Sequence, residues 1–267
     1  MVLERWAQLV ADERSEAFLA ALRERLQHQS QVPPLPPGWH VESSMIPSDG
    51  FEYGGDFFVA DVTHDALQMV LVDACGHGPA AMPDAVQFAG ALGALVDALP
   101  VEQVMTALND YVLRRCRVDS FVTAVHVNIR LADGSYCIRS AGHPPALRWC
   151  SGGREWVVDG ARGAALGLTD HPAMEDTHGV LEPGDALMFY TDGVVEARGA
   201  DIDDGIDALR VIARDVVAPG FRGAPARILA DVPRGEDDRA VLILRREPAG
   251  EPDTGAAGSP PPSSSTP

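Results

Sequence analysis

Four apolar, β-branched stretches of this chain each carry an aspartate at one end, next to a turn or to the start of the stretch. These acids are Asp56, Asp73, Asp192 and the neighbouring pair Asp237 and Asp238. A buried strand that ends in an acid and a glycine turn presents that acid at the edge of a sheet. Because magnesium and manganese prefer carboxylate, carbonyl and water oxygens, we expect the acids to converge on a metal site.

The order of the segments indicates the fold class. Strand-like segments come first, then two helical segments at 79–99, with Pro83 as an alternative later start, and at 101–116. More strands follow, joined by turns such as Asp133-Gly134. Two short helices and a closing strand follow, and the first of these helices is expected to begin at Ile206. This order lacks the regular β-α alternation of a parallel sheet. It predicts an α+β fold of antiparallel sheets with helices on their outer faces.

Charge and hydropathy exclude several classes of protein. The formal net charge is −18, from 39 acids and 21 basic residues that are all arginine. Such a surface repels nucleic acid. No run of eighteen apolar residues is present, so no membrane span is expected. The first residues lack the basic-then-apolar order of a signal peptide, so we expect a cytoplasmic protein.

Three regions are predicted along the chain. Residues 1–31 are expected to form an N-terminal helical segment. This segment either packs on the domain or acts as a dimerisation or switch helix. It has two apolar stripes, one of Leu3, Trp6 and Val10 and one of Phe18, Leu22 and Leu26. Residues 32–246 form the main domain. Residues 247–267, rich in Pro, Gly, Ser and Thr, are expected to be disordered.

Cysteine and histidine offer alternative chemistry. The four cysteines are Cys75, Cys116, Cys137 and Cys150, and none forms a Cys-x-x-Cys pair, so the sequence favours reduced, buried thiols over a zinc site. Cys75 could act as a nucleophile with His77, and His77 could act as a general acid. For His77 and His143 the sequence favours a turn role, and Glu196 is expected to face solvent or to cap a helix.

Six motifs in a fixed order resemble a known family, the SpoIIE/RsbU-like bacterial serine phosphatases of the metal-dependent type 2C class. They are Gly54-Gly55-Asp56-Phe57-Phe58, Asp73-Ala74-Cys75-Gly76-His77-Gly78, Ala141-Gly142-His143-Pro144-Pro145, Leu166-Gly167-Leu168, Tyr190-Thr191-Asp192-Gly193 and Asp237-Asp238-Arg239-Ala240-Val241. The resemblance covers roughly residues 32–246.

The resemblance implies a four-layer αββα sandwich with a centre for two divalent ions, Mn²⁺ or Mg²⁺. By position, Asp56 would bind one ion and Asp73 would bridge both, with the Ala74 carbonyl as a further ligand. Asp192 and Asp237 would complete the other side, with Asp238 as the ligand if the register differs by one. The implied substrate is a phosphoserine or phosphothreonine protein, often an anti-sigma-factor antagonist of the STAS type.

The chain departs from the family pattern in four places. Asp-Ala-Cys-Gly-His-Gly replaces the usual Asp-Val-Ser-Gly-His-Gly, and Ala240 stands where threonine is usual. Pro83 interrupts a segment that is a smooth helix in the family, and only about thirty residues occupy the place of a sensor domain. None of these changes removes a proposed ligand.

Three other functions compete with hydrolysis on the sequence alone. Gly54-Gly55-Asp56-Phe57-Phe58 is similar to the Gly-Gly-Asp-Glu-Phe signature of diguanylate cyclases, but the glutamate is missing and the other motifs would be unexplained. The runner-up is a catalytically silent phosphatase-like module that binds a phosphorylated partner. The third is a scaffold that acts through the N-terminal helix.

Overall fold

The structure is a computed structural model that describes residues 30–46, 55–63, 65–74, 82–115, 121–196, 201–233 and 237–248. It also describes six residues near the N-terminus, all helical: Phe18, Ala21, Leu22, Glu24, Arg25 and Leu26. The predictions for Cys75, His77 and Cys116, for the stripe of Leu3, Trp6 and Val10, and for the tail from residue 249 onward concern positions outside this description.

In the part of the chain that the structure describes, ten strands form two five-stranded antiparallel sheets. The first sheet has the order β1-β10-β9-β6-β7 and the second has the order β2-β3-β4-β5-β8. The strands are β1 (Trp39–Ile46), β2 (Phe57–Thr63), β3 (Ala66–Ala74), β4 (Val122–Arg130), β5 (Ser135–Ala141), β6 (Leu147–Cys150), β7 (Glu155–Val158), β8 (Asp176–Val180), β9 (Ala186–Tyr190) and β10 (Arg239–Arg246).

Within the described ranges from residue 30 onward, four helices cover the outer faces of the two sheets. They are α1 (Met82–Ala98), α2 (Val101–Arg115), α3 (Ile202–Val217) and α4 (Ala224–Asp231). Leu92 of α1 and Leu108 of α2 pack with Val70 of the second sheet. Leu209 of α3 and Ile228 of α4 pack with residues of the first sheet.

The layer between the sheets is apolar. Alternate residues of a strand point to opposite faces, and in β3 Leu71 faces the inner core while Val70 faces the helices. Leu71 shares that inner core with Phe189 of β9 and Leu242 of β10. The four layers are therefore helices, sheet, sheet and helices, which confirms the predicted α+β sandwich.

The N-terminal helical residues contact the second sheet's helical face. Leu26 is buried and Leu22 packs against the same cluster, as the predicted stripe requires. Phe18 is 60% exposed, so the stripe does not extend to it in this chain. Among the described helices, none has the length and apolar character to cross a bilayer.

Helix α3 begins at Ile202, four residues before the predicted start at Ile206. Asp201 caps the helix by accepting a hydrogen bond from the Asp203 amide at 3.1 Å. The predicted start was therefore late by about one turn of helix. Gly205 is needed inside the helix, since an added Cβ would overlap the Val195 carbonyl oxygen.

A buried histidine makes the stability of the fold depend on pH. His126 of β4 is 3% exposed, and its Nε2 has no hydrogen-bond partner in the described part of the chain. Burial, followed by the charge of Arg139, lowers the pKa of His126 to about 4. Between pH 6.5 and 4 the unfolded chain thus binds a proton that the folded protein does not bind.

As the pH falls from 7 to 4, we expect His126 alone to lower the free energy of unfolding by about 3 kcal/mol. In His126→Gln this contribution is absent, so the loss of stability on acidification should be smaller. Urea unfolding of both proteins at several pH values measures the difference, with the exposed His171→Gln as the matched control. Equal pH dependence in the wild type and His126→Gln would contradict this assignment.

Candidate metal centre

Strand pairing brings the predicted acids to one end of the sandwich. In the second sheet Phe57 pairs with Val72, so Asp56 and Asp73 lie side by side at the start of β2 and the end of β3. In the first sheet Tyr190 pairs with Val241. Asp192 follows the end of β9 in a short 3₁₀ helix (Asp192–Val194), and the Asp237–Asp238 pair precedes β10.

Two hydrogen-bonded links hold the two groups of acids together. The Gly55 amide donates to Asp238 Oδ2 at 2.7 Å. The hydroxyl group of Thr191 hydrogen-bonds to Asp56 and accepts from the Ala240 amide at 2.9 Å. Thr191 is fully buried. The sequence analysis assigned it no role, because only the packing of one sheet on the other brings it to Asp56.

The carboxylates raise one another's pKa values. Burial is the largest cause for each, and the neighbouring acids add to it. The pKa of Asp56 lies well above its usual value through burial, Asp73 and Asp238. The pKa of Asp73 rises to about 7, with Asp192 as its strongest acidic neighbour. The pKa of Asp192 rises to about 6 through burial, Asp237 and Glu196.

These observations fit a binding site for hard divalent cations. Oδ2 of Asp56 is buried and has no hydrogen-bond partner among the described residues, so an acceptor is left for an ion. Asp73 occupies the middle of the set, because its carboxyl group hydrogen-bonds to both Asp56 and Asp192. All the side-chain atoms that could bind an ion here are carboxylate oxygens, which magnesium and manganese prefer as ligands.

The acids are spread more widely than the ligands of a single ion. Among the described residues, no three of these acids have carboxylate oxygens that all lie within 4.8 Å of one another. Paired ions in hydrolytic enzymes are about 3.5–4 Å apart, and their ligands extend over a correspondingly larger volume. The spacing is wider than the ligand shell of one ion, and the number of ions stays a prediction.

The two neighbouring acids before β10 have different surroundings. Asp237 is exposed, accepts a hydrogen bond from the Asp238 amide at 2.8 Å, and raises the pKa values of Asp73 and Asp192. Asp238 is 5% exposed and is held by Gly55 beside Asp56. Asp237 is thus placed toward Asp73 and Asp192, whereas Asp238 connects the sheets. The choice of Asp237 as ligand stays a prediction.

The other candidate residues lie near this centre. Ala74 ends β3, directly after Asp73, and its role as a carbonyl ligand also stays a prediction. Glu196 is exposed, as expected, but acts electrostatically on Asp192. His143 is 4% exposed, and burial lowers its pKa to about 4, so its imidazole is neutral near pH 7. A neutral imidazole is a weaker proton donor than an imidazolium ion, which disfavours His143 as the general acid.

A cleft of about 260 Å³ opens beside Asp192. Its lining comes from three separated parts of the chain: Gly142, His143, Pro144, Pro145, Arg162, Asp192, Glu196, Ile202, Asp203 and Ile206. Arg162 contributes a positive charge to this lining, and the carboxylates in the lining are negative. The sequence did not indicate Arg162, because nothing in its local pattern connects it with the Asp192 turn.

Two antiparallel sheets between helical layers are the fold of PP2C-type phosphatase domains. The family model for Stage II sporulation protein E (SpoIIE) matches residues 63–247. The chain therefore belongs to the SpoIIE family, as its motifs predicted.

Individual relatives agree with this family membership. Phosphoserine phosphatase RsbU of Bacillus subtilis (strain 168) is 25% identical over 154 residues, which are 55% of this chain and 44% of RsbU. The chain thus spans less than half the length of this curated relative. A crystal structure of the RsbU and RsbW domains of a Mycobacterium tuberculosis protein matches with a TM-score of 0.71 and 24% identity, covering 82% of this chain and 62% of that one.

A second solved structure contains a metal ion. RsbX in complex with magnesium matches with a TM-score of 0.60 and 15% identity, covering 79% of this chain and 96% of that one. At these identities both solved structures show likeness of fold.

Proposed function

We propose that this chain is a metal-dependent phosphatase that hydrolyses phosphoserine or phosphothreonine in proteins. The observation that carries this proposal is the carboxylate cluster of Asp56, Asp73 and Asp192, whose burial and mutual repulsion call for cations. Family membership and a curated relative that is named a phosphoserine phosphatase support the same activity.

The chain's own residues would hold the ions and orient the substrate. Asp56, Asp73, Asp192 and Asp237, with the Ala74 carbonyl, would bind two divalent cations, Mn²⁺ or Mg²⁺. Such ions supply an activated water and neutralise charge on the transferring phosphoryl group. Thr191 and Asp238 fix the distance between the acids of the two sheets, because they hydrogen-bond across the gap.

The cleft beside Asp192 suits a phosphorylated side chain. Arg162 donates to the carbonyl groups of Asp159 and Ala161 at 2.9 and 2.8 Å, which fixes its guanidinium group in the lining. A fixed guanidinium group can bind a phosphate dianion through charge-assisted hydrogen bonds. Pro144 and Pro145 form part of the wall, and proline holds a wall stiff.

The substrate we propose is a phosphorylated anti-sigma-factor antagonist of the STAS type, in a partner-switching pathway of the cytoplasm. The family resemblance and the RsbU relative support this choice. We also propose that two chains associate through the N-terminal helix. The apolar side chain of Phe18 on this helix is exposed to solvent, and a second chain could cover it. The alternative of a silent binding module would be favoured by loss of ligand acids, but each of them is present.

Metal removal tests the activity directly. Purified protein is expected to hydrolyse an aryl phosphate and a phosphoserine peptide when Mn²⁺ is added, and to lose both activities in excess chelator. Restoring Mn²⁺ should restore both. Turnover that persists in chelator would contradict the metal-dependent mechanism. Absence of turnover in folded protein that binds Mn²⁺ would favour the silent module.

A further inference from the structure

A second group of possible metal ligands lies on β5 and β8, away from the carboxylate centre. Cys137 of β5 is directly opposite His178 of β8, and Asp176 precedes His178 by two residues on the same face of the strand. The thiol sulfur, one carboxylate oxygen and one imidazole nitrogen all lie within 4.8 Å of one another.

The ligand types in this group differ from those of the carboxylate centre. Sulfur, nitrogen and oxygen together suit zinc and similar d-block cations, whereas magnesium and manganese prefer oxygen alone. We propose that Cys137, Asp176 and His178 form a separate site for a zinc-type cation, with a fourth coordination position open to solvent.

The surroundings of Asp176 support this assignment. Arg139 donates from Nε and Nη2 to the two oxygens of Asp176, both at 2.6 Å, and from Nη1 to the Glu102 carbonyl at 3.0 Å. A carboxylate has about four lone-pair positions, so it can bind an ion while it accepts both of these hydrogen bonds. Such an outer hydrogen bond fixes the orientation of a metal ligand.

The site is accessible from solvent. Asp176 and His178 are exposed, and Cys137 is half-buried, so an ion can reach all three ligand atoms. It is also separate from the carboxylate centre. Asp73 pairs with Thr123 and Cys137 pairs with Asn128, which places the two sites on the order of 16 Å apart along β4 at about 3.3 Å per residue.

Cation binding would join an edge strand to its neighbour. β8 is the last strand of its sheet and pairs with β5 alone. An ion held by Cys137 and the two residues of β8 binds the folded protein in preference to the unfolded chain, and therefore stabilises it. The site is independent of the proposed hydrolysis, so either proposal can fail alone.

Cobalt(II) is the probe that tests this site, used with the reduced chain of residues 1–267. A cobalt ion bound by a thiolate in a tetrahedral site gives a charge-transfer band and strong visible absorption, which carboxylate sites do not give. We expect one equivalent of such cobalt in the wild type and in Asp73→Asn, displaced by zinc. Cys137→Ala and His178→Ala are expected to lose the band almost completely.

The matched control is Cys150→Ala, at the other free cysteine that the structure describes. This variant should keep the full cobalt spectrum. Absence of the thiolate band in the wild type, or a band that persists in Cys137→Ala or in His178→Ala, would overturn the proposal. Cys137→Ser provides a second variant of nearly equal volume, and circular dichroism of each variant establishes that a lost band is not a lost fold.

Discussion

Asp73→Asn is expected to lower metal-dependent hydrolysis by at least about 100-fold. Removing even an outer hydrogen-bond partner of a metal ligand lowers metal affinity or activity by about 10–100-fold. Asparagine keeps the shape of the side chain but removes the charge at the middle of the cluster, where Asp73 hydrogen-bonds to Asp56 and Asp192. Hydrolysis of an aryl phosphate across a range of Mn²⁺ concentrations measures the loss. Full activity in Asp73→Asn would show that the site assignment is wrong.

The same substitution should stabilise the protein when metal is removed. The folded-state pKa of Asp73 is raised from 3.8 to about 7. The metal-free folded protein therefore loses stability as the pH rises from about 4 to about 7, by up to about 4 kcal/mol from this group. In chelator at pH 8 we expect Asp73→Asn to unfold at a higher urea concentration than the wild type, and saturating Mg²⁺ should reverse that order. The exposed Asp207→Asn serves as the control for loss of one negative charge.

Gly193→Ala is expected to destabilise the protein by about 3 kcal/mol and to weaken metal binding. Gly193 follows Asp192 in the 3₁₀ helix, and an added Cβ would overlap the Asp238 carbonyl oxygen and lie 3.2 Å from Cβ of Asp237. The two turns that carry the acids of the first sheet would have to separate. Urea unfolding and the Mn²⁺ dependence of hydrolysis measure the two effects.

Gly93→Ala provides the matched control for this substitution. Gly93 lies inside α1, and an added Cβ there would meet no described atom within 4 Å. Because alanine favours a helix more than glycine does, Gly93→Ala should raise stability by up to about 1 kcal/mol. If Gly193→Ala behaved like Gly93→Ala, the close approach of the two turns would be wrong.

Local patterns were sufficient to predict most of the elements. Runs of β-branched and apolar residues located the strands, and Asp133-Gly134 lies in the turn between β4 and β5 as expected. Asp56, Asp73 and Asp192 were singled out because acids recur at several strand ends, whereas one such acid alone would be a cap or turn residue; their role as ligands stays a prediction. The start of α3 was missed, since the acid Asp201 marks it as a cap and no apolar stripe does.

Features that depend on strand order could not be predicted. The chain leaves the second sheet after β5, forms β6 and β7 in the first sheet, and returns as β8 beside β5. This return brings His178 to Cys137, although 41 positions separate them in the sequence. Because the sequence has no closely spaced cysteine and histidine residues, it argued against a zinc site. Arg162 and Thr191 reach the Asp192 turn and Asp56 through the same long-range packing.

The division of the acids between the two sheets makes the apolar interface part of the geometry of the proposed metal centre. Asp56 and Asp73 belong to one sheet, and Asp192 and Asp237 belong to the other. Apolar side chains such as Leu71 and Phe189 form the contacts between the sheets. One residue along a strand spans about 3.3 Å, which is nearly the spacing of about 3.5–4 Å between paired ions. A slip of one residue between the sheets would therefore disrupt the proposed site, so ion binding would report whether the two sheets are aligned.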